Sequence, residues 1–380
     1  LTTLSSLRDT QASFYRDYRF AQVFSSLQRA PESVHARLAE IPGVDYVETR
    51  VVADIMLDMP GFSEPVTGLM VSLPDGAPPG LNGLHLRQGR LPLPARTGEV
   101  VVSAPFAHAH RLQLGDRFAA ILNGRRQMLT LVGTALSPEF VQQMRPGALF
   151  PDYQRYGVLW MGREALGRAY DMDGAFNDVA LRLRPGANEL TIIDAADRIL
   201  FVYGGRGAYA RKDQRSHRFL SEEFAQLETL SSMFPTIFLS VAAFLLNVVI
   251  GRVVAMQREQ IATLKAFGYS NVNVLVHYLA LVSVIVAAGG VFGIGLGIVL
   301  GQSLSAIYAE FYRFPYLNFE LRLNTVVEAL AASFFAAMAG TVFAVWRAAR
   351  LRPAEAMRPE PPSRYSESWV EKLGMKAWLS

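Results

Sequence analysis

Six histidines and no cysteine leave this chain few ways to hold a metal ion or attack a carbonyl carbon. Without thiols, disulfides and cysteine-based zinc sites are excluded. His108 and His110 stand two apart, a spacing that would put both imidazoles on one face of a strand. No trio of Asp, Glu or Cys stands near enough to complete a tetrahedral site, so a structural or exposed role is the better reading. Ser103 and the histidines form no nucleophile motif of the G-x-S-x-G kind. Gly204-Gly205-Arg206-Gly207 could cradle a phosphate, but no Lys-Ser or Lys-Thr pair follows, and a turn fits better. The P-loop pattern G-x-x-x-x-G-K-[ST] does not occur in the sequence. Asn247 lies deep in an apolar run and reads as an interhelical hydrogen-bonding group rather than a transport ligand. No catalytic, cofactor or metal site is expected.

The stretch with a pattern is residues 256–270, MQREQIATLKAFGYS. It lies between apolar runs at 233–255 and 272–304. Each exceeds the ~20 residues that cross a ~30 Å hydrocarbon core. Arg252, Arg258 and Lys265 against the single Glu259 place the turn in the cytoplasm by the positive-inside rule. Ile261 and Leu264, with Phe267 further along, fall near one side of a short helix, and Gly268 stands where a glycine would end it. A short amphipathic helix at such a turn is suited to pressing on a soluble partner.

The elements that must hold this turn divide by texture. Residues 1–212 read as an extracytoplasmic α+β domain, a split α/β core with a β-rich insert at about 94–160. Residues 1–30 look extended or partly helical. Pro31 opens a helix whose stripe is Val34, Leu38 and Ile41, and residues 46–59 alternate as one strand or two. Residues 73–93 form a Pro/Gly-rich connection. Within the insert, runs at 117–122 and 127–132 flank Asn123-Gly124, a strong hairpin signal, and predict a small barrel or sandwich. Helical 163–171, a strand at 178–184 and helical 189–203 restore the α/β pattern. A stalk helix at 213–233, with Leu220, Phe224, Leu227 and Leu230 on one side, runs into the first apolar segment. There Pro235 either opens the membrane helix or kinks one continuous helix.

Residues 234–350 read as a bundle of three transmembrane helices, at about 234–255, 272–304 and 325–347. The second carries Gly289, Gly293, Gly297 and Gly301 at four-residue spacing, and the third carries Ala332, Ala336, Gly340 and Ala344. Two such ridges predict close helix packing. The loop at 306–323 is aromatic and balanced in charge, as at an outer interface, whereas Arg347, Arg350, Arg352 and Arg358 put the tail, 351–380, in the cytoplasm. The net charge of +4 is then that of membrane-flanking arginines and a solvated surface, and no basic block with interleaved aromatics points to nucleic acid.

At REQIATLKAFGYS the chain resembles the FtsX-like permease family of ABC transporters, which includes MacB-type and lipoprotein-releasing (Lol-type) proteins. The family's cytoplasmic helix, R-x-x-E-I-x-x-L-K-A-x-G-x-S, is matched by Glu259, Ile261, Leu264, Lys265, Ala266, Gly268 and Ser270, with Arg258 directly before Glu259 instead of spaced from it. Residues 352–358 resemble the family's P-x-E-A-L-R ending. Ile41-Pro42-Gly43-Val44 and Leu114-Gly115-Asp116 look like parts of its periplasmic core domain. The resemblance implies a non-enzymatic permease subunit of the bacterial inner membrane, with residues 1–232 outside. A separate cytoplasmic ATPase dimer would act on the coupling helix, so that work is done on a lipid, lipoprotein, peptide or partner protein outside. Such proteins typically have four membrane helices. A further one is expected just before Leu1, and residues 359–380 read as the approach to a second permease repeat. The reading kept beside it is a membrane receptor or scaffold with a ligand-sensing outer domain.

Overall fold

Among the described residues one antiparallel and one mixed sheet account for the strands. The computed structural model describes residues 2–59, 61–62, 66–94, 96–145, 147–148, 150–312, 314–315 and 321–349. It divides into one unit of Leu1–Ser231 with Ile298–Leu321 and a second of Ser232–Gly297 with Arg322–Ser380.

The first unit begins with α1 (Thr2–Asp17), β1 (Val23–Pro31), α2 (Val34–Ala39) and β2 (Val44–Arg50). The chain then leaves for β3 (Val52–Asp58), β4 (Val66–Leu73), β5 (His85–Gly89), β6 (Glu99–Ser103), α3 (Ala104–Ala109), β7 (Arg117–Leu122), β8 (Arg125–Leu136) and β9 (Tyr156–Gly162). It returns through α4 (Arg163–Ala169), β10 (Ala175–Leu183), α5 (Glu189–Leu200) and β11 (Ala208–Ala210). The first and last parts make a four-stranded sheet ordered β11-β1-β10-β2, all neighbours antiparallel. On it lie α2, through Val34 and Leu38, and α5, through Ile192, Ala196 and Leu200. Those spacings of four put each set on one helical stripe. Asn188 caps α5, its Oδ1 accepting from the backbone N–H of Leu190 (3.1 Å) and Thr191 (3.3 Å).

The inserted strands run β5-β8-β6-β9-β4-β3-β7, and pairing of β7 with β8 closes six of them into a ring. Its interior holds Ile55, Met70, Val100, Val102, Leu129, Leu131 and Leu159. The closing hairpin turns at Asn123 (φ 45°) and Gly124 (φ 74°), the two positive φ values that a type I′ turn needs.

The fold is thus the expected split α/β core with a β-rich insert, with local differences. The β-rich region begins at Val52 rather than near residue 94, because β3 and β4 pair into the same ring. Pro31 ends β1 instead of opening α2, which starts at Val34. The Pro/Gly-rich connection contains β5, paired with β8.

The two sheets are fastened by a buried ion cluster. Arg50, at the end of β2, is held by Glu139 (2.5 and 2.9 Å), in the turn after β8, and by Asp178 of β10 (2.6 Å). Burial opposes the charge on Arg50, yet Asp178 and Glu139 hold its pKa well above the ordinary value. Burial raises the pKa of Asp178, with Arg50 pulling the other way. Asn82 Nδ2 also donates to Glu139 (2.9 Å), and Gln214 Nε2 donates to the Glu139 backbone carbonyl (2.8 Å). Gln214 directly precedes α6 (Arg215–Met256), and its Oε1 accepts from the His217 N–H (2.8 Å). Beside it α1 packs Leu4, Leu7 and Phe14 against Leu220, Phe224 and Phe314.

After α6 come α7 (Arg258–Ala266), α8 (Asn271–Tyr312) and α9 (Leu323–Ala349). Helices α6, α8 and α9 are long and apolar enough to cross a membrane. Helix α6 continues through Pro235, and Thr236 Oγ1 donates to the Ser232 carbonyl (2.8 Å) beside the gap left by the missing proline N–H. In the second unit Ile250, Val254, Val274, Tyr278, Val282, Ala337, Ala344 and Val345 form one cluster. The tail 351–380, with Arg352 and Arg358, lies outside the described residues, as do Arg350, Tyr316, Glu320 and the side chain of Arg347.

Arg50→Met strands two buried carboxylates and is expected to cost the domain about 3–5 kcal/mol in urea unfolding. Adding Glu139→Met and Asp178→Leu removes the stranded charges and is expected to restore most of that loss. A triple variant no more stable than the single one would contradict the fastening role.

Candidate functional site

The turn between α6 and α8 is built from short-range rules. Gln257 alone separates α6 from α7, and its Oε1 accepts from the Tyr278 hydroxyl of α8 (2.6 Å). At the far end the N–H of Tyr269 donates to the Leu264 carbonyl (3.1 Å) and that of Gly268 to Lys265 (3.1 Å). This is the Schellman pattern, and Gly268 takes the left-handed φ of +95° that it demands. A hydroxyl cap follows, Ser270 Oγ accepting from the Asn273 N–H (3.2 Å) as α8 begins.

The two faces of α7 differ. Ala262 is fully buried, and Ile261 is half-buried against the apolar cluster of the membrane helices. Leu264 (44% exposed), Phe267 (80%) and Tyr269 (51%) face outward, as does Met256 (81%) at the end of α6. Glu259 is exposed, whereas Arg258 and Lys265 are half-buried. The structure therefore separates the two apolar residues that sequence spacing put together. Ile261 fixes the helix inward and Leu264 is presented outward with Phe267. Helical spacing alone could not assign the inner face, since that depends on where the neighbouring helices lie.

The small-residue ridges are also divided. A Cβ at Gly289, Gly293 or Gly297 would meet nothing within 4 Å. At Gly290 of α8 a Cβ would lie 2.7 Å from the Leu330 side chain of α9. On α9, a Cβ at Gly340 would collide with the Ala243 backbone of α6. Ala344 is buried in the helix cluster, Ala336 is half-buried and Ala332 is exposed. Gly301 and Asn247 are half-buried on their helices. Close approach is made at Gly340, a member of the α9 ridge, and at Gly290, next to the α8 ridge.

His108 and His110 are not on a strand. Ser103 and Pro105 open the short helix α3, with Pro at its first turn, and this was the sequence signal for a helix there. His108 lies in α3, while His110 follows it, packs on the Phe106 ring and approaches the Gln154 carbonyl (2.8 Å). Gly204 ends a short 3-10 turn with φ +73°, so the glycine-rich stretch is a turn, as expected.

Residues 232–353 match the family model described as FtsX-like permease C-terminal. No curated protein matches the chain. Among solved structures, the periplasmic region of MacB from Actinobacillus actinomycetemcomitans aligns with 53% of this chain and 93% of its own, at 10% identity and a TM-score of 0.33. The extracellular domain of the noncanonic ABC-type transporter YknZ from Gram-positive bacteria aligns with 50% of this chain and 98% of its own, at 12% identity and a TM-score of 0.33. A domain of a putative permease protein from Porphyromonas gingivalis aligns with 53% and 89%, at 16% identity and a TM-score of 0.29.

Gly340→Ala is expected to lose about 1–3 kcal/mol through overpacking. Gly293→Ala is expected to be neutral or to gain up to ~1 kcal/mol from helix propensity. Thermal unfolding of the purified chain in detergent compares them, and equal losses would refute this assignment of faces. The membrane region of this chain, residues 232–353, is thus similar to the FtsX-like permease C-terminal domain.

Proposed function

We propose that this chain is a permease subunit of an ABC transporter of the FtsX/MacB type, and that α7 is the point where a cytoplasmic ATPase dimer acts on it. The observation that carries this reading is the two-sidedness of the turn. One face buries Ala262 and packs Ile261 on the membrane helices, and the other offers Leu264 and Phe267 among Arg258, Glu259 and Lys265. Apolar anchors ringed by charge suit helix-in-groove docking, with the charges setting register at the rim. On this reading residues 1–232 lie outside the inner membrane of a bacterium and the tail lies inside. The conformational work is delivered to the extracytoplasmic domain, for export or extraction of a lipid, lipoprotein or peptide. A second permease repeat or subunit, and a partner protein outside, complete the assembly.

The double variant Leu264→Asp with Phe267→Asp is expected to insert and fold normally while losing its ATPase in co-purification, by tenfold or more. Each buried anchor is worth more than about 1–2 kcal/mol. Ile261→Asp is expected to behave differently and to lower the stability of the permease itself, because Ile261 packs inward. Asn273→Asp, at an exposed position after the turn, serves as the control. Retention of the ATPase and of cellular activity by the double variant would reject the proposal.

A further inference from the structure

Where the four-stranded sheet, the ring and the start of α6 meet, the first unit has an open cavity of about 620 Å³, with Asp54, Asp213, Arg215 and Arg218 exposed to solvent. That is within the ~300–1,000 Å³ typical of small-molecule sites. Its floor is the Arg50 cluster, whose members satisfy one another. Above the floor one buried polar atom, Gln142 Nε2, is not satisfied among the described residues, and Gln142 itself is 4% exposed. A buried polar group left without a partner costs about 1–3 kcal/mol, which is a reason to expect an occupant. The Tyr156 side chain lines the cavity, and its hydroxyl, accessible from it, has no hydrogen-bond partner among the described residues. The Tyr209 hydroxyl also lines the cavity without a hydrogen bond among the described residues. Arg215 lies close enough to both phenols to lower their pKa values against the rise that burial imposes.

The charges identify the kind of occupant. Arg215, with the two phenol hydroxyls, makes a set of donors suited to a carboxylate. Asp54 also lines the cavity and raises the Tyr156 pKa further, and Asp213 adds a second lining carboxylate. Neither carboxylate has a hydrogen-bond or ion-pair partner among the described residues, and both suit an ammonium group. Leu69, Val71, Phe140 and Met144 supply apolar lining. A purely anionic ligand would meet four lining carboxylates (Asp54, Glu139, Asp178, Asp213) against three arginines (Arg50, Arg215, Arg218) and would be repelled.

We propose that this cavity is a binding site for a zwitterionic amino acid, with its carboxylate on Arg215, Tyr156 and Tyr209, its ammonium group on Asp54, and its side chain on the apolar lining. An occupant there touches both sheets and the first residue of α6, so it would stabilise the extramembrane domain. The site does not depend on ATPase docking at α7.

The test is thermal unfolding and calorimetric titration of the full chain in detergent with each common L-amino acid at 10 mM. At least one is expected to raise the midpoint, and for that one the deaminated and decarboxylated analogues are expected to fail. If it is leucine, these are 4-methylpentanoate and 3-methylbutylamine. Arg215→Gln and Tyr156→Phe are expected to weaken binding tenfold or more while leaving the ligand-free midpoint within a few degrees. Arg182→Gln, outside the lining, is expected to bind normally. No shift with any amino acid, equal shifts with the single-charge analogues, or undiminished binding by Arg215→Gln would each overturn the proposal.

Discussion

The extramembrane domain depends on one buried guanidinium. Arg50 takes Glu139 and Asp178 out of water with it, and such a group is tolerated only when the charges are paired and hydrogen-bonded, as both Glu139 oxygens and Asp178 Oδ1 are. Asn82 supplies a further donor, and its own Oδ1 accepts from the Ala21 N–H (2.9 Å) before β1. The Glu139 carbonyl is taken by Gln214, and the N–H of Gln142 donates to the Ser216 hydroxyl (2.9 Å) in the first turn of α6. One network therefore joins β2, β10, the turn after β8 and the start of α6. An apolar seam of the same size would let these parts slide. Directional bonds to a planar guanidinium fix their angles as well as their distances.

That network was not legible in the sequence. Arg50 and Glu139 are separated by 89 positions, and Arg50 and Asp178 by 128. Nothing local distinguishes these three charges from the exposed ones around them. The same blindness explains the start of the β-rich region. Residues 46–59 alternate as strands whichever sheet they join, and only the pairing of β3 with β7 and β4 assigns β3 to the ring. What the sequence does carry is short-range. Asn123-Gly124 specifies its hairpin because both residues tolerate positive φ, and Val34 with Leu38 mark α2 by spacing alone.

The membrane region repeats this division between local pattern and long-range placement. Four-residue spacing of Gly289, Gly293 and Gly297 guarantees a ridge without side chains on α8, but not a neighbour on that side. The neighbours found within the chain are at Gly290, one residue round the helix, and at Gly340 of α9. A ridge one residue away is rotated by ~100°, enough to point it elsewhere. Lipid does not drive helices together as water does, so packing is chosen by shape, and shape depends on both partners.

The turn at α7 shows why a few residues can matter more than the spans they connect. A loop that transmits displacement must not absorb it, so its backbone has to be stiff at both ends. Here the entry is one residue, Gln257, tied by its side chain to Tyr278 of the following helix. The exit is a Schellman turn whose two backbone bonds close on Gly268, followed directly by the Ser270 cap of α8. Between them Ala262 is fully buried, and Ile261 packs against the apolar cluster of Ile250, Val274 and Val345, which belong to three different membrane helices. A push on Leu264 and Phe267 therefore has little slack to take up before it reaches those helices. Had both apolar residues faced outward, the helix would have gained a larger docking surface and lost its anchorage. The inward position of Ile261 makes the proposed coupling mechanically consistent.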